Sequence, residues 1–183
     1  MHPYKGQDEA IAALSEVIRR GVNANLLIVG EGWSSFQARL QQQIKNFGLE
    51  QQVKLVGYIK NPIYYVQAAD IVLICSHWES FGRVTIEAML AGKPVIGSAS
   101  GATAELIQEG VTGLLYDSGN HNKLADKIQY LYENPEERLK LGTAARIWAT
   151  DRFTQERYAE EVFDLLRKKM KEKSSRYSAI CNQ

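Results

Sequence analysis

Two glutamates, Glu79 and Glu87, stand eight positions apart in the run Ser76-His77-Trp78-Glu79-Ser80-Phe81-Gly82-Arg83-Val84-Thr85-Ile86-Glu87, directly after the most apolar stretch of the chain. The order of residue types reads as a strand, a tight turn and a helix start. Gly82 lets the backbone turn, and the following helix points its unpaired first-turn amides back at the strand end. Such a helix start holds phosphate without help from a metal. Glu79 lies just before the amides and Glu87 about a turn and a half inside the helix, at ~1.5 Å rise per residue. Two carboxylates therefore flank an anion site. One can accept hydrogen bonds from sugar hydroxyls, the amides can hold a diphosphate, and the other can accept from ribose hydroxyls. Taken alone, the spacing also fits two solvated glutamates on a helix; the strand before it and the Phe-Gly turn within it favour the site.

Positioning such a site requires a framework, and the chain supplies one. Apolar runs short enough for buried strands recur at Leu26 to Val29, Val53 to Val56, Ile71 to Ile74 and Pro94 to Ile96, each separated by helical spacing. Alternation of this kind predicts a parallel sheet covered by helices, an α/β domain of Rossmann-like type, and ligands of such sheets sit beyond the carboxyl ends of the strands. Ser34 and Gln37 form a capping-box pair ahead of Phe36, Leu40 and Ile44, so the first connecting helix is expected from Ser35 to Phe47, with Gly48 as its stop. After Leu114 and Leu115 the pattern turns helical, with Leu124, Ile128 and Leu131 in one stripe and Asn134-Pro135 as a boundary. Thr154 is expected to cap a last helix that buries Tyr158, Val162, Leu165 and Leu166.

Bulk properties narrow the function. The 183 residues carry 22 Lys and Arg against 21 Asp and Glu, so no overall field gathers nucleic acid. The longest apolar run is far short of a membrane span and no apolar signal stretch opens the chain, which gives a cytoplasmic expectation. Two cysteines, Cys75 and Cys181, support neither a disulfide framework nor a four-cysteine zinc site. No two histidines have metal-ligand spacing, and Gly30-Glu31-Gly32 lacks the third glycine of a dinucleotide fingerprint. The expectation is no metal and no cofactor. The domain is read as residues 1–166. Residues 167–183 form a basic end with Arg167, Lys168, Lys169, Lys171, Lys173 and Arg176, either a solvated helix terminus or a patch for anionic lipid at the inner face of the membrane. A helix carrying Ile11, Leu14 and Ile18 opens the chain with no strand before it, so a first strand is expected to be missing, as in a piece cut from a longer protein.

The block from Glu79 through Glu87-Ala88-Met89-Leu90-Ala91-Gly92-Lys93-Pro94-Val95-Ile96-Gly97 resembles the signature of the group 1 family of retaining glycosyltransferases of GT-B architecture, whose donor-binding half carries Glu, seven residues, Glu. The resemblance extends to Lys5-Gly6-Gln7, Val29-Gly30-Glu31-Gly32, Leu55-Val56-Gly57-Tyr58, Ala68-Ala69-Asp70, Gly101-Ala102-Thr103-Ala104-Glu105 and Gly110 to Leu115. It implies the C-terminal half of a GT-B fold that binds a UDP- or GDP-sugar as substrate. The acceptor side would belong to an N-terminal domain absent from this chain, so the chain alone is expected to transfer nothing. The implied roles are Glu79 as the catalytic residue on the donor sugar, Glu87 on the ribose and Lys5 on the diphosphate. Phe81, Gly82, Arg83 and Val84 would supply phosphate-facing amides, and Gly30 and Tyr58 lie at donor-side strand ends. An arginine a few residues ahead of the lysine is usual in the family and has no counterpart here. The Arg83 side chain either reaches the phosphates or lies on the helix surface; His77 is either a donor contact or a wall residue. Bacterial surface polysaccharide or lipopolysaccharide assembly is the pathway implied. Alternatives are another enzyme of the same two-half architecture, a sugar-nucleotide epimerase or glycosyl phosphorylase half, or, from another class, a non-catalytic nucleotide-sugar-binding subunit.

Overall fold

A computed structural model describes the backbone of residues 1–181 and the side chains of residues 1–171. The side chains of Lys173, Arg176 and Cys181, included above in the basic end and the cysteine count, lie outside the described residues. The chain divides into two compact units, Met1–Trp148 and Ala149–Gln183. In the first, β1 (Leu26–Val29) pairs in parallel with β2 (Val53–Val56), and β3 (Val72–Ile74), β4 (Val95–Ser98) and β5 (Leu114–Tyr116) form a second parallel sheet in that order. The connections are helical: α1 (Gln7–Arg19) precedes β1, α2 (Ser34–Asn46) joins β1 to β2, and α3 (Ile63–Ala68) carries the chain across to β3. There α4 (Arg83–Leu90) and α5 (Gly101–Leu106) link the strands in turn, followed by α6 (His121–Glu133), α7 (Pro135–Arg152) and α8 (Gln155–Cys181). The α/β reading of the sequence holds.

The central strand of the larger sheet, β4, is buried along its whole length, as expected of a strand covered on both faces. Helix α1 ties the two sheets together. Its Ile11 and Leu14 pack with Ile28, Phe36 and Leu40 around β1, while Ala10, Ala13 and Val17 pack with Ile96, Leu114, Leu124 and Leu131 around β4 and β5. Ile11 and Val17 are fully buried, each contributing about 2 kcal/mol of apolar transfer. No helix among the described residues is long and apolar enough to cross a membrane.

Several local expectations shift. Trp33, not Ser34, occupies the N-cap of α2, with no side-chain cap, so the capping box does not form. Gly48 does end that helix, at φ 66°. The three residues of β5 were too few to stand out from the helical pattern around them. Thr154 Oγ1 accepts from the Arg157 amide at 3.1 Å, as a cap should, but Tyr158, Val162, Leu165 and Leu166 are exposed rather than buried. Their stripe marks an amphipathic helix without requiring that the stripe be covered.

One charged side chain is out of keeping with its place. Glu9, on the buried side of α1, is only 8% exposed and faces a cavity of about 520 Å³ shared with Asp8, Arg39, Gln43, His77 and His121. Burial raises its carboxyl above the ordinary glutamate value, opposed by the nearby His77, Tyr116 and Gly119. For an acid raised in the fold, stability is full below the unfolded value and declines as pH rises through the folded one. Glu9→Gln removes that decline. The variant should unfold at a higher temperature than wild type at pH 8, with little difference at pH 4. Thermal denaturation at the two pH values checks this, and an equal shift at both would refute it.

Candidate functional site

The site forms where the N-terminal turn meets the end of β3. Residues Pro3–Lys5 make one 3-10 turn ended by Gly6 in the left-handed region, at φ 62°. A Cβ on Gly6 would lie 2.1 Å from the Cys75 carbonyl oxygen, so only glycine permits this approach. The Tyr4 carbonyl then accepts from the His77 amide at 2.8 Å, and Lys5 Nζ reaches Glu79 Oε2 at 2.6 Å across 74 positions of sequence. Ser76 Oγ donates to the same oxygen at 3.3 Å.

The backbone of Glu79 is held from the other side. Gly101, at φ 51°, brings the start of α5 so close that a Cβ there would meet the Glu79 carbonyl at 2.5 Å. The Ala102 amide donates to that carbonyl at 2.8 Å. Burial alone would push the Glu79 carboxyl up. The Lys5 ammonium, the Ser76 hydroxyl and the Gly82 amide outweigh it and hold the group below the usual carboxylate range. Glu79 therefore stays ionised at neutral pH. With Lys5 half exposed, the pair contributes little to stability. Its effect is to fix a carboxylate and an ammonium beside the helix start.

That helix is α4. Gly82 is its N-cap, at φ 78°, and no side chain caps it, which leaves the first-turn amides for a ligand. Phe81 and Val84 flank this end and are exposed. Arg83 Nε lies 3.4 Å from Glu87 Oε1 with its side chain 82% exposed, paired along the helix. His77 Nδ1 sits 2.9 Å from Ser118 Oγ. Trp78 is 70% exposed, no part of a packed wall.

Among the residues read from sequence, then, Lys5, Glu79 and Gly82 converge, and Glu87 follows on the same helix. Gly30 and Tyr58 lie at the carboxyl ends of β1 and β2. The Gly30 amide donates to Val56 and Gly57 carbonyls at 2.9 and 3.2 Å, and among the described residues no hydrogen bond or ion pair links Gly30 or Tyr58 to the Lys5–Glu79 group. Sequence reasoning assigned no part to Ser76 or the Ala102 amide, although a serine two residues after one strand and a glycine three residues after another were visible signals. Among the described residues no three His, Cys, Asp or Glu side chains converge as a metal set.

Comparison with known proteins fits this geometry. The model of the family described as Glycosyl transferases group 1 matches residues 1–148. This chain belongs to that family. As a group 1 member it is 32% identical to N-acetyl-alpha-D-glucosaminyl L-malate synthase of Bacillus anthracis, over 89% of the chain and 43% of that protein. It is 30% identical to the GDP-mannose-dependent alpha-(1-6)-phosphatidylinositol monomannoside mannosyltransferase of Mycobacterium tuberculosis, over 90% and 45%. The chain thus spans less than half the length of these curated relatives. Among solved structures it matches Anabaena HepE in complex with UDP at a TM-score of 0.85 and 31% identity, covering 91% of this chain and 46% of that one. The C-terminal domain of a group 1 protein from Francisella tularensis matches at 0.76 and 27% identity, covering 85% and 83%. The fold is the C-terminal half of the GT-B architecture.

Two variants probe how this group 1 site is held. In Lys5→Met the Glu79 carboxyl should titrate at higher pH than in wild type, read by carboxyl NMR; an unchanged titration would mean that Lys5 does not govern it. Gly101→Ala should lower stability by about 1–3 kcal/mol in a denaturant titration, since the positive φ and the Glu79 carbonyl both oppose a methyl group.

Proposed function

We propose that this chain binds the nucleotide-sugar donor of a retaining glycosyltransferase, which moves the sugar from a UDP- or GDP-conjugate to a hydroxyl acceptor. The observation that carries the reading is the Lys5–Glu79 pair set at 2.6 Å beside the uncapped start of α4. Lys5 has three N–H donors and Glu79 engages one, leaving two for a diphosphate that also meets the α4 amides. Charge on that diphosphate grows as the glycosidic bond breaks, so a fixed ammonium and oriented amides lower the barrier there. Glu79 accepts from hydroxyls of the transferred sugar, and Glu87, inside α4, from the ribose once it parts from Arg83. Gly30 and Tyr58 border the base.

The UDP bound to HepE and the GDP-mannose dependence of the mycobacterial relative support a nucleotide-sugar donor. The acceptor belongs to a separate N-terminal domain of the full enzyme, and the 183 residues alone bind donor and transfer nothing. We assign the enzyme to bacterial surface polysaccharide or lipopolysaccharide assembly in the cytoplasm. There Arg167, Lys168 and Lys171 of α8 meet anionic lipid at the inner membrane face.

Calorimetric titration with UDP, GDP, ADP and their sugar conjugates tests the reading. One nucleotide should bind, and Glu87→Ala should weaken it by roughly 10- to 100-fold, the loss expected for hydrogen bonds to a charged group. Binding indifferent to Glu87→Ala, or sugar transfer by the chain alone, would overturn it.

A further inference from the structure

Helix α1 opens onto a groove bordered by α2, by the loops after β3 and β5 and by the first residue of α6, all within the unit Met1–Trp148. Its volume of about 520 Å³ falls in the range of small-ligand pockets, roughly 300–1,000 Å³. On the α1 wall Asp8 and Glu9 occupy adjacent positions. Ala12 follows one turn later, at i+4 from the first and i+3 from the second, and so lies on the same face of the helix. Phe47, 44% exposed, adds a second apolar patch to the lining.

The acceptors of this groove are free, while its donors are engaged. Both Glu9 carboxylate oxygens are buried and without a hydrogen-bond partner among the described residues, on a residue only 8% exposed. Asp8 Oδ1 is likewise buried and unpartnered. The donors around them are turned elsewhere: Arg39 Nη2 to Asp8 Oδ2 at 3.1 Å, Gln43 Nε2 to the Asp8 carbonyl at 2.8 Å and Gln42 Nε2 to Asn46 Oδ1 at 2.9 Å. The Tyr116 hydroxyl and the Gly119 amide lie near Glu9 without closing a hydrogen bond, and those two donors match only two of the roughly four acceptor sites of a carboxylate. Charge is just as uneven. Arg39 offsets Asp8, whereas no ion pair among the described residues includes Glu9.

A buried carboxylate without donors is costly, and its complement is a cation that brings N–H groups. A metal ion does not meet that description, since no three His, Cys, Asp or Glu side chains among the described residues converge as a metal set. A primary ammonium does: it has one positive charge, three donors and no acceptor. On a short carbon chain it also presents apolar surface to Ala12 and Phe47. We propose that the groove binds a primary aliphatic amine, its ammonium on the Glu9 carboxylate and its carbon chain against Ala12 and Phe47. Asp8 Oδ1 offers a further acceptor to the same ligand. The groove shares no lining residue with the Lys5–Glu79 pair, and the inference is independent of the donor reading.

Titration of the 183-residue chain with butylammonium chloride at pH 8, followed by NMR at the backbone amides of Glu9, Ala12 and Gly119, tests the proposal. Saturable shifts with a Kd of about 1 mM or tighter are expected. Glu9→Gln should weaken binding by roughly 10- to 100-fold, the loss expected for hydrogen bonds to a charged group. That variant keeps the shape of the side chain and is expected to be more stable than wild type at this pH, so weaker binding in it is not a loss of fold. Tetramethylammonium has the same charge and no N–H group, and should produce no saturable shift. The proposal is overturned by the absence of saturable shifts with butylammonium up to about 10 mM, by equal binding to Glu9→Gln, or by equal binding of tetramethylammonium. Magnesium or zinc chloride acting on the same amides more tightly than the amine would also overturn it, and would make the groove a metal site.

Discussion

Contact between the Gly6 backbone and the Cys75 carbonyl governs the geometry of the site. It is a steric constraint, met by the absence of a side chain, and three things follow from it at once. The turn before α1 lies on the end of β3, Lys5 comes within reach of Glu79, and α1 is aimed along the boundary between the two sheets, where it contributes to both hydrophobic clusters. A charge pair spanning 74 residues is thus a product of backbone packing, and the ion pair itself adds little to holding the parts together.

Electrostatically the arrangement is lopsided by design of the backbone. Lys5, the α4 amides and the partial positive charge of that helix's N-terminus all face one region, while only Glu79 balances them. Under the proposed function, a doubly charged diphosphate would complete the balance. The same carboxylate stays ionised because its surroundings favour the charged form in spite of burial.

The sequence disclosed most of this frame, and the reasons for what it hid are physical. Strands Leu26–Val29 and Val53–Val56 were readable to the residue, because β-branched and leucine runs bounded by polar turns have few other solutions. Gly82 and Glu79 were readable because strand, glycine and helix follow one another locally. The links between distant segments were not. Nothing in the string joins Ala102 to Glu79 or Tyr4 to His77, since those bonds exist only once the sheet has set the spacing of its strand ends. Amphipathic spacing in α8 correctly marked a helix yet could not say that its apolar stripe stays exposed. The capping box failed because Trp33 is held by Met1 and His2, a contact from outside the helix.

Gly6 and Gly101 leave no room for a side chain, each abutting a backbone carbonyl of the site's frame, that of Cys75 and that of Glu79, while Gly82 takes a positive φ of 78° at the helix start. Phe81, Val84 and Arg83, by contrast, project into open space around the same helix start. The site therefore separates into a rigid part written in backbone and a permissive part written in side chains. Substitutions can therefore change the rim one residue at a time while the backbone frame beneath it stays as it is.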